Sequence, residues 1–298
     1  MAAATGPFRL RARAKLNLRF EIGSTAANGL HAIRSVIADL VLADDLDFVP
    51  EPGPFALASD GAVIPQQRNL AWRAAIAMES DLSGWRLRIA KQIPLQAGLG
   101  GGSADAAAAL RGVACILESR GVPIVEARLR MIAQILGSDV PACLLPGLKV
   151  VGGTGEIVRQ VNAQAPPWGV VLLQPSVRIP TADAYRLVDT ARASSSSPGV
   201  EHNGSCDELC AAYAHADFER VRSLLHNDFQ SIIEAAYPPV REARARLIAA
   251  QAQAALLCGS GSCVAGLFLT RAAADAALPV LRAAPDEWAA VTEFSHAE

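Results

Sequence analysis

Residues 92–107 of this 298-residue chain read QIPLQAGLGGGSADAA and contain its densest group of glycines. An alternating segment before them, 85–89, predicts a strand, and an alanine-rich run after them, 106–117, predicts a helix. We expect Ser103 to cap that helix with its side-chain oxygen and Asp105 to lie in its first turn. Since glycines expose backbone N–H groups and a helix N-terminus carries partial positive charge, this loop indicates a phosphate-binding site.

The residues around the glycines distinguish between kinds of nucleotide-binding loop. A Walker-type loop needs Lys and then Ser or Thr after its last glycine, but Gly102 is followed by Ser103 and Ala104. A dinucleotide loop fits at Gly98 and Gly100 but has Ser103 in place of its sixth-position glycine. The first kind is excluded and the second is disfavoured. Another phosphate loop, or a glycine-rich turn without a ligand, remains.

Near the N-terminus, apolar and polar residues alternate strictly over 8–20. This period of two predicts a half-buried strand with Lys15 and Asn17 on the same face. The Asn-Gly pair in 26–29 is typical of a hairpin turn, and the second strand of the hairpin is expected over about 33–42.

The second half of the chain mixes both kinds of element. Its apolar strands are predicted at 170–173, in a segment that ends at Cys258 and at 263–269. Its helices are predicted at 181–190, 206–213, 217–235 and 239–252, and an exposed loop at 194–197. A further helix is predicted in the first half, at 125–136. Five glycines or prolines in 146–155 predict a boundary between domains 1–150 and 151–298. The uneven order of strands and helices favours an α+β protein rather than a regularly alternating α/β fold.

Composition narrows the class of protein. With 27 basic and 29 acidic side chains the net charge is −2, which disfavours a nucleic-acid binder. A chain that is 51% hydrophobic and 19% charged is globular rather than disordered. Six unevenly spaced cysteines predict free thiols and a cytoplasmic protein, and no apolar run approaches the roughly 18 residues of a membrane span. His202, Cys206 and Cys210 supply only three zinc ligands, so we interpret their proximity as coincidence.

The motifs resemble those of the GHMP small-molecule kinases, named for galactose, homoserine, mevalonate and phosphomevalonate. The resemblance to their ATP phosphate loop rests on Pro94, Gly98, Leu99, Gly100, Gly101, Gly102 and Ser103, followed by Ala106 and Ala107. A strand motif at 14–18 and a glycine turn at 257–263 are in register with two further motifs of the family. The resemblance implies a two-domain α+β fold in which ATP and substrate meet in a cleft between the domains, with Mg²⁺ as a second cofactor.

Further motifs at 28–31, 68–70, 136–141 and 153–156 resemble one branch of the family. That branch implies phosphorylation of the 2-hydroxyl of 4-diphosphocytidyl-2-C-methyl-D-erythritol for isoprenoid synthesis. The expected partner is thus a small cytidine diphosphate alcohol, and we expect the protein to bind neither a nucleic acid nor a membrane. The oligomeric state is left open. The alternatives are a family kinase for homoserine or a mevalonate-type alcohol, and a silent nucleotide-binding paralogue.

By the same resemblance, Asp139 is the catalytic base and Lys15 stabilises the charge on the hydroxyl and the transferred phosphoryl group. From the residues alone, Asp139 is equally suited to cap the helix that follows, because Gly137 ends the preceding helix and Pro141 comes soon after. Lys15 is equally suited to be a solvated charge on its strand. Ser103 is expected to contact the phosphates or Mg²⁺.

The resemblance also implies a set of substrate-binding residues. They are Asn17, Leu30, His31, Tyr185, Gly259, Ser260 and Gly261. Leu30 departs from the family, which usually has tyrosine there to pack on cytosine, and Tyr185 is expected to supply a second aromatic wall. Leucine lacks aromatic stacking, which is worth about 1–3 kcal/mol per base in nucleic-acid binders.

Overall fold

A computed structural model describes residues 6–25, 29–60, 65–79, 81–193, 204–281 and 284–296. Residues 26–28 of the turn predicted at 26–29, the loop predicted at 194–197 and His202 lie outside these described residues. The chain divides into two compact units. Unit 1 comprises Met1–Ala14, Leu42–Leu95 and Gly100–Leu145, and unit 2 comprises Lys15–Val41, Gln96–Leu99 and Pro146–Glu298.

Strands and helices are mixed along the chain, as expected for an α+β protein. The strands are β1 (Phe8–Thr25), β2 (His31–Pro50), β3 (Ala56–Asp60), β4 (Trp85–Ala90), β5 (Leu148–Gly152), β6 (Ile157–Val161), β7 (Gly169–Gln174), β8 (His226–Asn227), β9 (Ala254–Leu257), β10 (Val264–Phe268) and β11 (Trp288–Glu293). The helices are α1 (Leu70–Met78), α2 (Gly101–Ser119), α3 (Glu126–Leu136), α4 (Val140–Cys143), α5 (Thr181–Ala193), α6 (Cys206–Ala214), α7 (Phe218–Leu224), α8 (Gln230–Ala236), α9 (Pro238–Ala249) and α10 (Arg271–Leu281), with a 3-10 turn at Gln66–Arg68.

In unit 1, the sheet presents a face to the alanine-rich helix α2. Strand β4 pairs antiparallel with the second part of β2 and parallel with β3. Gly112 of α2 lies against Phe48 of β2, and a Cβ atom at Gly112 would come within 2.2 Å of that ring. Small residues on α2 therefore let the helix approach the sheet closely, which fixes the position of its N-terminus.

Unit 2 contains a four-stranded antiparallel sheet among its described residues, in the order β11-β7-β10-β9. Strands β7 and β10 are buried along their whole length, in keeping with their continuous apolar sequence. In the same unit, the first part of β2 pairs with β5, and β1 pairs with β8. The turn between β9 and β10 carries Gly259 and Gly261, so this sheet positions one part of the candidate site.

Most predicted elements are confirmed, but the helix predicted over 217–235 is wrong. Two helices, α7 and α8, are separated there by β8, which pairs with β1 at Arg19 and Phe20. Asn227 of β8 also donates side-chain hydrogen bonds to the carbonyl oxygens of Leu257 and Gly259. These long-range hydrogen bonds outweigh the local helical pattern.

The predicted boundary stretch 146–155 contains strand β5 rather than an irregular linker. The two compact units are interleaved along the chain, because β1 and β2 each contribute residues to both of them. The linear division into domains 1–150 and 151–298 stays a prediction. All six cysteines carry free thiols, as expected.

Candidate active site

The helix N-terminus at the glycine loop is formed by backbone conformation, not by a side-chain cap. Helix α2 begins at Gly101, and Gly100 occupies the N-cap position in a left-handed conformation, with φ 71° and ψ 15°. The prediction that Ser103 caps this helix is wrong, because the left-handed glycine turns the chain before Ser103 is reached. Ser103 lies inside the first turn, and Asp105 lies beyond it. The first N–H groups of an α-helix have no partner within the helix, and in α2 these groups belong to Gly101, Gly102 and Ser103, at the partially positive end of the helix.

The first half of the glycine loop is held tightly within unit 2. Gly98 has a positive φ of 75°, and a Cβ atom there would lie 1.7 Å from the carbonyl oxygen of Cys258. The N–H of Ser262 donates to the carbonyl oxygen of Gln96 at 3.2 Å. Only glycine fits at this position, because the loop backbone packs directly on the turn that follows β9.

Lys15 and Asn17 meet beside the same turn. The Nζ of Lys15 donates to Oδ1 of Asn17 at 2.6 Å, which confirms that the two side chains share a face of β1. Their residues are only 5% and 0% exposed, so the alternative of a solvated charge at Lys15 is wrong. A Cβ atom at Gly259 would lie 3.1 Å from Nζ of Lys15 and 3.4 Å from Oδ1 of Asn17. The N–H of Lys15 also donates to the carbonyl oxygen of Leu99 at 2.9 Å.

Asn227 secures this turn, although the sequence analysis missed it inside a helical pattern. Its Nδ2 donates to the carbonyl oxygens of Leu257 at 2.9 Å and of Gly259 at 2.8 Å. Ser260, in contrast, has its hydroxyl 3.2 Å from that of Thr181. A Cβ atom at Gly261 would lie 3.0 Å from Cδ1 of Leu257. Gly259 is therefore the residue of this turn that lies beside Lys15.

A second group of predicted residues meets elsewhere in unit 2. The rings of His31 and Tyr185 stack with centroids 4.9 Å apart, and the rings of Tyr185 and Phe229 make a T-shaped contact, also with centroids 4.9 Å apart. Nε2 of His31 lies 2.7 Å from Oδ1 of Asp189. Leu30 is 49% exposed. The structure thus brings His31 and Tyr185 together and adds Asp189 and Phe229, for which the sequence offered no signal.

Unit 1 contains a buried ionic cluster beside the start of α2. Nζ of Lys91 donates to Asp44 and, at 2.7 Å, to Oδ2 of Asp105, and it lies 3.5 Å from the place of a Cβ atom at Gly101. The second oxygen of Asp44 accepts the N–H of Ile93 at 2.8 Å. Burial raises the pKa of Asp105 to about 7, and the charge of Asp44 acts in the same direction. The cluster holds the chain before the glycine loop and the helix after it in a fixed arrangement.

We expect Lys91→Met to destabilise the protein by about 3–5 kcal/mol, because it leaves buried carboxylates without their cation. The measurement is the free energy of unfolding from urea titration. Arg88→Met is the control, since Arg88 is an exposed residue of β4 that contacts Glu51, and its loss should cost less than about 1 kcal/mol. Equal effects of the two substitutions would contradict a structural role for the cluster.

Asp139 and Pro94 also lie in unit 1. Asp139 occupies the N-cap position of α4, but its side chain makes no capping hydrogen bond, so the capping alternative from the sequence is wrong. Its main-chain oxygen accepts the N–H of Cys143 at 3.2 Å. Pro94 is half-buried between β4 and the glycine loop. Among the described residues there is no group of three or more His, Cys, Asp or Glu side chains able to hold a metal ion.

Comparison with known proteins identifies the class. The GHMP kinases N terminal domain matches residues 69–147, and the GHMP kinases C terminal domain matches residues 209–286. The chain belongs to the GHMP kinase family. It is similar to the 4-diphosphocytidyl-2-C-methyl-D-erythritol kinase of Moorella thermoacetica, with 35% identity over 87% of this chain and 89% of that protein. The enzyme of the same name from Chlorobaculum tepidum is 35% identical over 93% of this chain and 94% of its own length.

Solved structures agree with the family. A crystal structure of 4-(cytidine 5'-diphospho)-2C-methyl-D-erythritol kinase matches with a TM-score of 0.75 and 29% identity, covering 97% of this chain and 100% of that one. Homoserine kinase from Cytophaga hutchinsonii, at 14% identity and a TM-score of 0.69, shares the fold. Over the residues that the structure describes, no helix has the length and apolar character needed to cross a membrane.

Proposed function

We propose that this protein transfers the γ-phosphoryl group of ATP to the 2-hydroxyl of 4-diphosphocytidyl-2-C-methyl-D-erythritol. The observation that carries the proposal is the buried ammonium of Lys15, held by Asn17 beside two close-packed glycine turns. A buried cation of this kind suits a reaction in which charge develops on phosphoryl oxygens. The names of the full-length relatives support the choice of substrate.

Each part of the reaction has a candidate group in this chain. We assign the triphosphate to the N–H groups at the start of α2, from Gly101 to Ser103. The substrate oxygen attacks the γ-phosphorus, the bond from that phosphorus to the oxygen of ADP breaks, and the hydroxyl proton passes to the carboxylate of Asp139. Lys15 stabilises the negative charge on the reacting oxygens. Binding these groups in line supplies most of the catalysis in phosphoryl transfer.

We infer that Mg²⁺ enters with ATP. A hard cation of this kind takes oxygen ligands and is commonly held by substrate phosphates with few protein groups. The chain fits this mode, because Ser103 places a hydroxyl in the first turn of α2, whereas the Asp105 carboxylate is already bonded to Lys91. When bound, Mg²⁺ neutralises charge on the β- and γ-phosphates.

The group around Tyr185 is our candidate for recognition of the cytosine base. We assign the aromatic wall to Tyr185, whose ring is stacked on that of His31, and the reading of the base edge to His31; the half-exposed Leu30 adds a smaller apolar surface at the position where the family usually has tyrosine. Asn17 and Gly259 remain our candidates for contact with the alcohol, with Ser260 and Gly261 shaping the turn. The free thiols support our expectation that the protein is cytoplasmic.

The test is a product assay by mass spectrometry with ATP, Mg²⁺ and the cytidine diphosphate alcohol. We expect ADP and a product heavier by one phosphoryl group. The same assay with homoserine and with mevalonate serves as the control for substrate choice. Phosphorylation of one of those alcohols, with none of the cytidine compound, would assign the chain to another kinase of the family. Absence of ADP release with all three would indicate a silent paralogue.

A further inference from the structure

Asp189 has no role in the reaction described above, yet it lies against a residue assigned to base recognition. Its Oδ1 atom is 2.7 Å from Nε2 of His31. The His31 side chain is 8% exposed, whereas that of Asp189 is 55% exposed. A carboxylate accepts hydrogen bonds and cannot donate one, so Nε2 of His31 carries the proton in this contact. Nδ1 is then the ring nitrogen left for another partner.

The contact belongs to a larger arrangement on one face of α5. Tyr185 and Asp189 are four residues apart and therefore lie on the same side of the helix. Tyr185 stacks on the His31 ring and fixes the plane of that ring. Asp189 bonds to the edge of the same ring and fixes its rotation within the plane, so both constraints come from one face of α5. Arg192, one turn further on, donates to the carbonyl oxygens of Ile22 and, at 2.9 Å, of Gly23. The end of α5 is thereby held on β1.

Such an arrangement has a consequence for base selection. Cytosine and uracil differ at their pairing edge by an exchange of donor and acceptor groups. A neutral imidazole whose orientation is set and whose proton is held on Nε2 presents an acceptor at Nδ1, which suits the amino group of cytosine and not the carbonyl oxygen of uracil. A ring that can turn or shift its proton presents either polarity and discriminates less.

We propose that Asp189 is a positioning residue that orients the His31 imidazole and so favours a cytidine over a uridine diphosphate substrate. This inference rests on the proposed function, because it assumes a nucleotide substrate whose base lies at His31. An exposed carboxylate contributes little to stability, so its removal leaves the fold intact and isolates the effect on recognition.

The experiment compares Asp189→Ala with Asp183→Ala in steady-state kinetics. Asp183 is the matched control, since it also lies on α5 but pairs with Arg186. For Asp189→Ala we expect KM for the cytidine substrate to rise about 5–10-fold, the usual worth of one hydrogen bond. The turnover number and KM for ATP should change less than twofold, and preference over the uridine analogue should fall by a similar factor. Asp189→Glu should restore part of the preference.

A binding measurement separates failure of this inference from failure of the proposed function. Calorimetry with CDP and with UDP as probes needs no turnover. Loss of CDP preference in Asp189→Ala supports the role of Asp189 even if the wild-type enzyme proves to phosphorylate a different alcohol. Unchanged preference and KM in that variant, or equal changes in Asp183→Ala, would overturn the inference.

Discussion

Gly98→Ala is expected to lower turnover at least about 10²-fold, because it displaces the first half of the glycine loop. The new methyl group would lie 1.7 Å from the carbonyl oxygen of Cys258, so the backbone on one side of the contact has to move. Positive φ adds strain for any residue other than glycine. A displacement of about 1 Å in a group that positions substrate is enough for a 10²-fold loss.

Gly121→Ala separates the clash from the backbone strain. Gly121 has a φ of 79°, close to that of Gly98, but a Cβ atom there would have nothing within 4 Å. This variant should lose only the stability that a left-handed alanine costs, about 1 kcal/mol, and keep its turnover. Both variants are compared by ADP release at saturating ATP and by thermal unfolding. A Gly98→Ala enzyme with normal turnover would show that the loop does not position the phosphates.

The contrast between these two glycines shows what the sequence could reveal about the site. The run of glycines and the following alanines predicted the loop and helix α2, because their spacing reflects local backbone geometry. The clash at Gly98 depends on Cys258, which is far away in the chain, and no local pattern encodes it. The same holds for Lys91, whose partner Asp44 is 47 positions away.

Periodicity located elements with a regular pattern but not always their burial: β1 is buried on both faces over residues 14–20, where the alternation predicted a half-buried strand. It predicted β1 with Lys15 and Asn17 on one face, and it predicted α3 over nearly its full length. It failed at Asn227, where side-chain bonds to a distant turn interrupt a helical pattern. It also misplaced the helix cap at Ser103, because a left-handed Gly100 forms the same boundary without any side chain.

For Asp139→Asn we expect turnover to fall about 10²–10⁴-fold, the usual contribution of a general base. The amide has nearly the shape of the carboxylate but cannot take the proton of the attacking hydroxyl. The Asp139 side chain makes no capping hydrogen bond to α4, so loss of a helix cap cannot account for the effect. KM for ATP should change less than twofold, because the base acts on the acceptor rather than on the triphosphate.

Asp217→Asn is the matched control, since the Asp217 side chain does cap a helix by accepting the N–H of Arg220 at 3.0 Å. Asparagine caps about as well as aspartate, so this variant should keep both its stability and its turnover. The comparison uses single-turnover rates at saturating substrate, which report the chemical step apart from product release. A rate near that of the wild type in Asp139→Asn would remove Asp139 from the reaction. Lys15 would then have to act without a protein base, and the proton of the attacking hydroxyl would pass to the transferred phosphoryl group.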